Sequence, residues 1–415
     1  MAADVSRLRV LMVSDVSPGA PGGGGERLLW EHARGLAASG HDVRVLSRMP
    51  ATEAPAALER EGVRIRHLVS DRASLRRFLR GILVDSRRTV EEMLSSEGAD
   101  VLDVHQPLTG YGALRAAAAR GVPALYTFLS PAPLEYRSRR RMTRHHVGGG
   151  AGAAATALLW MVERACVRRA SRIAVLSEYS ATQLARLYRV PARRMVTIPG
   201  GVDTERFRPA ADRDAVRARL GLPGGRSLLL TVRNLEARMG LDVLLRAMAI
   251  VRLRVPEALL LVGGEGSHGG ELRALSASLG LERHVRFLGW VDDAELPGYY
   301  QAADCFVLPT RELEGFGLVT VEALACGTPV LGTAVGATPE LLAPLDAALL
   351  MHDASAAGIA DHLWRFLDPK ERPAGAMAAL RRACRAHAEA SYTWRRSVSL
   401  LDAELHALVR GGPRA

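Results

Sequence analysis

The sequence predicts two doubly wound, Rossmann-like α/β domains, each a parallel sheet with helices on both faces. Three observations carry the prediction. Short β-rich apolar runs alternate with stretches of helical period from end to end, as parallel strands joined by crossover helices require. The alternation occurs twice, broken near Pro199 to Pro209 where Gly200-Gly201 and prolines interrupt it. At 415 residues the chain exceeds one ordinary core, and two domains of roughly 200 residues each are the natural division.

The elements follow in order. In the first half, strands are expected over Arg9 to Ser14, Asp42 to Ser47, Val63 to Leu68, Val101 to Val104, Pro123 to Phe128, Ile173 to Leu176 and Met195 to Ile198. The glycine run Gly22 to Gly25 follows the first strand and opens a helix near Glu26, so its backbone can approach a ligand closely. The second half offers Ser227 to Val232, Ala258 to Val262, Val285 to Phe287, Cys305 to Leu308, Pro329 to Gly332 and Ala348 to Met351. Residues 1–200 and 201–391 are the expected domains.

Composition narrows the class. Hydrophobic residues make up 48% and charged residues 24%, as in a soluble globular protein. Cys166, Cys305, Cys326 and Cys384 lie far apart without metal-ligand spacing, which suggests neither a zinc site nor a disulfide framework and fits a reduced cytoplasm. The N-terminal apolar run is far shorter than a secretory signal. The net charge of +11 comes from arginine, Lys370 being the only lysine. Arginine forks suit diphosphates or anionic membrane surfaces. Nucleic acid is the weakest partner, because no stacking pattern accompanies the charge and aromatics are 5% of residues.

The richest segment runs from Arg311 to Val330. Glu314 lies in a loop after the apolar run ending at Leu308, and Glu322 lies two turns into the helix that Gly317 opens. The N–H groups of Phe316, Gly317 and Leu318 lack intrahelical partners and would bind a diphosphate beside Gly315. Glu322 is then placed to accept from a ribose and Glu314 from a sugar hydroxyl. Taken alone, the pair reads more readily as a surface helix with an acidic cap, followed by a Gly-Thr-Pro turn into a buried strand. The flanking residues decide.

Glu314-Gly315-Phe316-Gly317-Leu318, then Glu322-Ala323-Leu324-Ala325 and Gly327-Thr328-Pro329-Val330, resemble the signature of the bacterial retaining glycosyltransferases of family 4, in the glycogen synthase-like group. Gly40-His41-Asp42-Val43, Pro199-Gly200-Gly201-Val202-Asp203, Arg233 to Gly240, Gly263-Gly264-Glu265-Gly266, Gly289-Trp290 and Ala303-Asp304 extend the resemblance over nearly the whole chain. It implies the GT-B architecture, two such domains facing across a cleft. The first domain would take the acceptor, with a C-terminal helix over 392–410 packing back on it, and the second would bind a UDP- or GDP-sugar. It further implies a hexosyltransferase that retains anomeric configuration, acting on a glycan, glycolipid or natural-product acceptor. Neither cofactor nor metal is required, the nucleotide-sugar being a co-substrate.

By the same resemblance Arg233 and Arg238 neutralise the departing diphosphate, a task that positive groups fixed in advance perform. As loop arginines they are expected to contribute little to folding. Gly23, Gly24 and Gly25 approach the diphosphate, while Glu265, Trp290 and Val291 neighbour the nucleotide. Family members commonly carry a histidine after the Thr-Phe of the fifth parallel strand. Here that place holds Leu129, which removes a donor near the reacting carbon. His105, at the end of the preceding strand, is a candidate to face the acceptor. The Leu129 departure keeps open a donor-binding protein with weak or no transfer, and the architecture alone keeps open an epimerase.

The arginine-rich stretch Arg137 to Arg144, followed by the apolar run Gly148 to Val162, admits two readings. It is too short to span a bilayer, but a basic face beside an apolar helix can rest on anionic lipid at the inner face of the cell membrane. The other reading is a solvated loop leading into a buried helix.

Overall fold

The computed structural model describes residues 7–18, 23–48, 57–68, 75–142 and 149–411. Two compact units emerge, residues 1–200 with 394–415, and residues 201–393. In the first, the strands are β1 (Arg9–Ser14), β2 (Asp42–Arg48), β3 (Ala57–Arg60), β4 (Val63–Leu68), β5 (Val101–His105), β6 (Ala124–Phe128), β7 (Arg172–Val175) and β8 (Met195–Thr197), in the spatial order β3-β4-β2-β1-β5-β6-β7-β8. Neighbours pair in parallel except β3 with β4. That antiparallel edge was not expected from the sequence. Ala57–Arg60 offers one large apolar residue, and its connection to β4 is the tight pair Glu61-Gly62, both at positive φ, the geometry of a two-residue hairpin turn.

Successive residues of β1 feed opposite faces of the sheet. Val10 and Met12 join one core cluster and Leu11 and Val13 the other, which is why such a buried parallel strand reads as an unbroken apolar run. The first of those clusters also contains Leu29, Ala33 and Leu36 of helix Gly24–Ala38, and Val398, Leu401, Leu405 and Leu408 of helix Trp394–Gly411. The last helix therefore completes the core of the unit that begins the chain. It crosses Gly24–Ala38 so closely that a Cβ on Gly35 would stand 2.5 Å from Val398.

The second unit holds β9 (Leu228–Val232), β10 (Leu259–Gly263), β11 (Val285–Gly289), β12 (Cys305–Leu308), β13 (Val330–Thr333) and β14 (Leu350–Met351), in the order β11-β10-β9-β12-β13-β14. Every pair is parallel. In each sheet the winding reverses once, between β1 and β5 in the first unit and between β9 and β12 in the second. Doubly wound sheets bind ligands at these reversals, outside the carboxyl ends of the strands. Among the described residues no helix is long and apolar enough to cross a membrane.

Candidate functional site

In the second unit the reversal gathers the sequence-predicted residues. Arg233 leaves the end of β9, and Glu314 lies in the loop after β12. Their side chains meet at 2.6 Å and are 6% and 9% exposed. Thr310, absent from the sequence reading, joins them: the Arg233 guanidinium donates to its hydroxyl, which donates to the same Glu314 oxygen at 3.0 Å. Burial alone would raise the Glu314 carboxyl. The Arg233 charge and hydrogen bond, the Thr310 hydroxyl and the more distant Arg238 outweigh it and hold Glu314 below the ordinary carboxylate range. Arg233 is thus no solvated loop arginine but half of a buried ion pair. Arg238, in the turn Ala237–Met239 before helix Leu241–Val251, donates to the Leu313 carbonyl at 3.1 Å.

Backbone strain and glycines shape this loop. Leu313 sits at φ 61°, an uncommon conformation for a branched side chain. Gly317, at φ 90°, caps helix Leu318–Ala325, where the Thr320 N–H bonds the Gly317 carbonyl at 2.9 Å. The N–H groups before Thr320 belong to the helix start that points forward. Gly315 and Leu318 are partly exposed there, and Phe316 is buried against Tyr392. Glu322 is buried inside the same helix and accepts from the Tyr300 hydroxyl at 2.9 Å.

The neighbouring loops are tied to one another by main-chain bonds. The Arg233 N–H bonds the Gly263 carbonyl at 3.0 Å, Leu235 bonds Glu265 at 2.8 Å, Gly264 bonds Gly289 at 2.7 Å, Arg311 bonds Arg238 at 2.9 Å and Ala337 bonds Glu314 at 2.9 Å. Gly264, at φ 111°, lies so close to β9 that a Cβ would stand 1.9 Å from the Arg233 carbonyl oxygen. The Glu265 side chain is exposed at this end of the sheet. Trp290, 52% exposed after β11, is a surface residue, whereas Val291 beside it is buried.

In the first unit, Gly23 caps helix Gly24–Ala38 at the end of the connection from β1, and the first intrahelical bond runs from the Arg27 N–H to the Gly23 carbonyl. The N–H groups of Gly24, Gly25 and Glu26 therefore point forward. Gly22 lies outside the described residues. The side chain of Leu129, just after β6, reaches the space over Gly25. His105 is 1% exposed and set behind this surface, with Nε2 2.9 Å from Asp103, which also accepts from Thr127 at 2.7 Å. His32 stands edge-on to His105 and shares a 2.9 Å hydrogen bond with Ser397. Burial, with the His105 ring alongside, pushes its pKa down to about 3, so it is neutral.

His32, Asp103 and His105 form one group able to hold a metal ion, and His41, Asp402 and His406 form another. Both belong to the first unit, whereas Arg233 and Glu314 belong to the second. A further buried acid, Glu163 on helix Gly149–Arg169, accepts from the hydroxyls of Tyr188 and Tyr126 and from the Ala132 N–H. Burial raises its pKa to about 8.

The arginine-rich run falls partly on helix Ala132–Met142, and Thr143 to Gly148 lie outside the described residues. The apolar run forms the first part of helix Gly149–Arg169, where Trp160 and Met161 are 37% and 55% exposed and Arg164 stacks over Trp160.

The chain matches two family profiles, "Glycosyltransferase Family 4" over residues 22–206 and "Glycosyl transferases group 1" over residues 212–382. It is 31% identical to D-inositol 3-phosphate glycosyltransferase 1 of Catenulispora acidiphila, over 98% of this chain and 96% of the relative. It is 30% identical to the GDP-mannose-dependent alpha-(1-6)-phosphatidylinositol monomannoside mannosyltransferase of Mycobacterium tuberculosis, over 81% and 93% of the two chains. Among solved structures, sucrose-phosphate synthase from Thermosynechococcus elongatus superposes with a TM-score of 0.82 at 24% identity, over 97% of this chain and 100% of that one. Anabaena HepE in complex with UDP and glucose gives 0.75 at 19% identity, over 96% and 100%.

Proposed function

Because this chain belongs to glycosyltransferase family 4, we propose that it moves a hexosyl unit from a UDP- or GDP-sugar onto an acceptor bearing an inositol phosphate. The enzyme class itself is plain: it is a nucleotide-sugar-dependent hexosyltransferase of GT-B fold. The acceptor reading is supported by the two relatives named above, one acting on D-inositol 3-phosphate and the other on phosphatidylinositol monomannoside. The observation that carries the site is the Arg233–Thr310–Glu314 network beside the forward N–H groups at Gly317, at the reversal of the second sheet.

In this reading the diphosphate lies against the N–H groups of Phe316, Gly317 and Leu318, with Arg233 and Arg238 near it. Glu322 accepts from the ribose and Glu314 from a hydroxyl of the transferred sugar. Glu265, Trp290 and Val291 border the nucleotide, and Gly23 to Gly25 of the first unit reach the sugar-phosphate. The acceptor hydroxyl oxygen bonds to the anomeric carbon on the face from which the diphosphate departs. The carbon–oxygen bond to phosphate breaks with its electron pair on the leaving oxygen, which takes the acceptor proton. The products are a glycoside of retained configuration and a nucleoside diphosphate. The arginines supply the charge a metal ion would otherwise supply, so a chelator leaves the rate unchanged. Arg137, Arg139, Arg140 and Arg164 with Trp160 and Met161 form the surface by which the first unit rests on anionic lipid from the cytoplasmic side.

The test is a panel of UDP- and GDP-hexoses offered with D-inositol 3-phosphate and, separately, with phosphatidylinositol in vesicles. Acceptor-dependent release of one nucleoside diphosphate is expected. Donor affinity without transfer or donor hydrolysis would instead favour a binding protein.

A further inference from the structure

Gln106 follows β5 at the reversal of the first sheet, next to β1. Its backbone lies at φ 73° and ψ 150°, a positive φ that side-chain-bearing residues avoid. Such a conformation persists only where the surroundings over-determine it, and these conformations cluster at working sites. The fixing contacts are visible. Pro107 opens helix Pro107–Ala119, and the N–H groups of Leu108 and Thr109 bond the Asp15 carboxylate at 3.0 and 2.6 Å.

The same neighbours orient the Gln106 amide. Its Oε1 accepts from the Ser14 hydroxyl and from the Asp15 backbone N–H, both at 3.1 Å. A backbone N–H can only donate, so the amide oxygen faces β1 and the NH2 group faces away. There Nε2 lies 3.6 Å from where a Cβ on Gly25 would stand, and Leu129 Cδ1 lies 3.2 Å from the same point. A fixed amide donor and the apolar tip of Leu129 thus stand together over Gly25, in the first turn of helix Gly24–Ala38.

We propose that Gln106 is a catalytic residue of this transferase, its Nε2 donating a hydrogen bond to an oxygen of the transferred sugar or its phosphate. Leu129 has no polar atom with which to serve that oxygen, and the Gln106 amide stands beside it. No bond is made or broken at Gln106; it stabilises charge that develops on that oxygen as the leaving group departs. The inference rests on the reading that the Gly23 to Gly25 turn receives the sugar-phosphate.

Gln106→Glu keeps an oxygen for Ser14 and Asp15 while turning the donor into a charged acceptor, and Gln106→Leu removes the donor without adding charge. With whichever nucleotide-sugar of the panel the wild-type chain turns over, Gln106→Glu should keep its melting temperature and its donor KM within about threefold. Its kcat should fall about a hundredfold, the usual cost of one preorganised donor. Gln106→Leu should fall similarly, and adding Leu129→His to it should restore at least about tenfold, because an imidazole then supplies the donor. A Gln106→Glu enzyme at the wild-type rate overturns the proposal, as does a Gln106→Leu enzyme that Leu129→His fails to rescue. A wild-type chain that turns over no nucleotide-sugar would defeat the underlying functional reading instead.

Discussion

Replacing Arg233 by alanine removes one partner of a buried ion pair and leaves the other where it was. Glu314 is 9% exposed at the side chain and meets Arg233 at 2.6 Å, so the variant strands a carboxylate with the Thr310 hydroxyl as its near partner. Breaking a buried pair in this way costs about 3–5 kcal/mol. At about 2–4 °C per kcal/mol for a unit of this size, the melting temperature should drop by roughly 6–20 °C. The pH dependence follows from the sign of the shift. In the wild type the Glu314 pKa is held low, so its contribution is present above the ordinary carboxylate value and lost as pH falls through the lowered one. Without Arg233 burial dominates and the pKa rises, so the deficit grows as pH climbs above about 4.3. Thermal melts at pH 4.5 and 7.5 should therefore separate the two proteins far more at the higher pH. The double variant Arg233→Ala/Glu314→Gln should recover most of the lost stability and none of the transfer rate. An Arg233→Ala protein that melts with the wild type at pH 7.5, or whose deficit is equal at both pH values, would refute the reasoning.

Glu322→Ala should weaken donor binding by roughly 10- to 160-fold in calorimetric titration, a hydrogen bond to a charged group being worth about 1.5–3 kcal/mol, whereas Glu314→Gln should bind donor and lose turnover. Gly264→Ala should melt well below the wild type, because its Cβ would stand 1.9 Å from the Arg233 carbonyl oxygen and its φ is strained for a side chain. Glu163 holds its proton to about pH 8 in the native state and to about pH 4.3 unfolded. The Glu163 contribution to stability should fall as pH rises through that window, and Glu163→Gln, which has no proton to lose, should match the wild type near pH 5 and exceed it near pH 9 in thermal melts. Co-sedimentation with anionic vesicles should be strong at low salt and fade as salt rises, each basic residue near the surface contributing about 1 kcal/mol; protein that stays in the supernatant favours the solvated reading of the basic run.

The parallel strands were legible because burial on both faces leaves an unbroken apolar run, as in Leu228–Val232. β3 was not, since an edge strand with one large apolar residue differs little from a loop. At the site, Glu314 and Arg233 were legible as chemistry but not as partners. They lie 81 residues apart, and their meeting depends on β9 and β12 being neighbours, which only the strand order fixes. Thr310 and Tyr300 carry no motif of their own and gain their roles from the carboxylates they touch. His105 reads as an available imidazole, and only the packing of Asp103, Thr127 and His32 around it reveals its burial. Gln106 precedes a proline, where an extended backbone is the expectation, and nothing local announces a positive φ.

The last helix, Trp394–Gly411, belongs to the core of the unit that the chain begins. Synthesis therefore delivers the two units out of step with their order in the sequence. When residue 200 leaves the ribosome the first sheet still lacks the cover that Val398, Leu401, Leu405 and Leu408 provide, and it stays so while the whole second unit is made. At about 5–20 residues per second that interval is roughly 10–40 s. The second unit, Gly201–Thr393, is continuous and can close first. The first unit thus stays incomplete until Trp394–Gly411 is made, and a truncation ahead of Trp394 would strip cover from its strands.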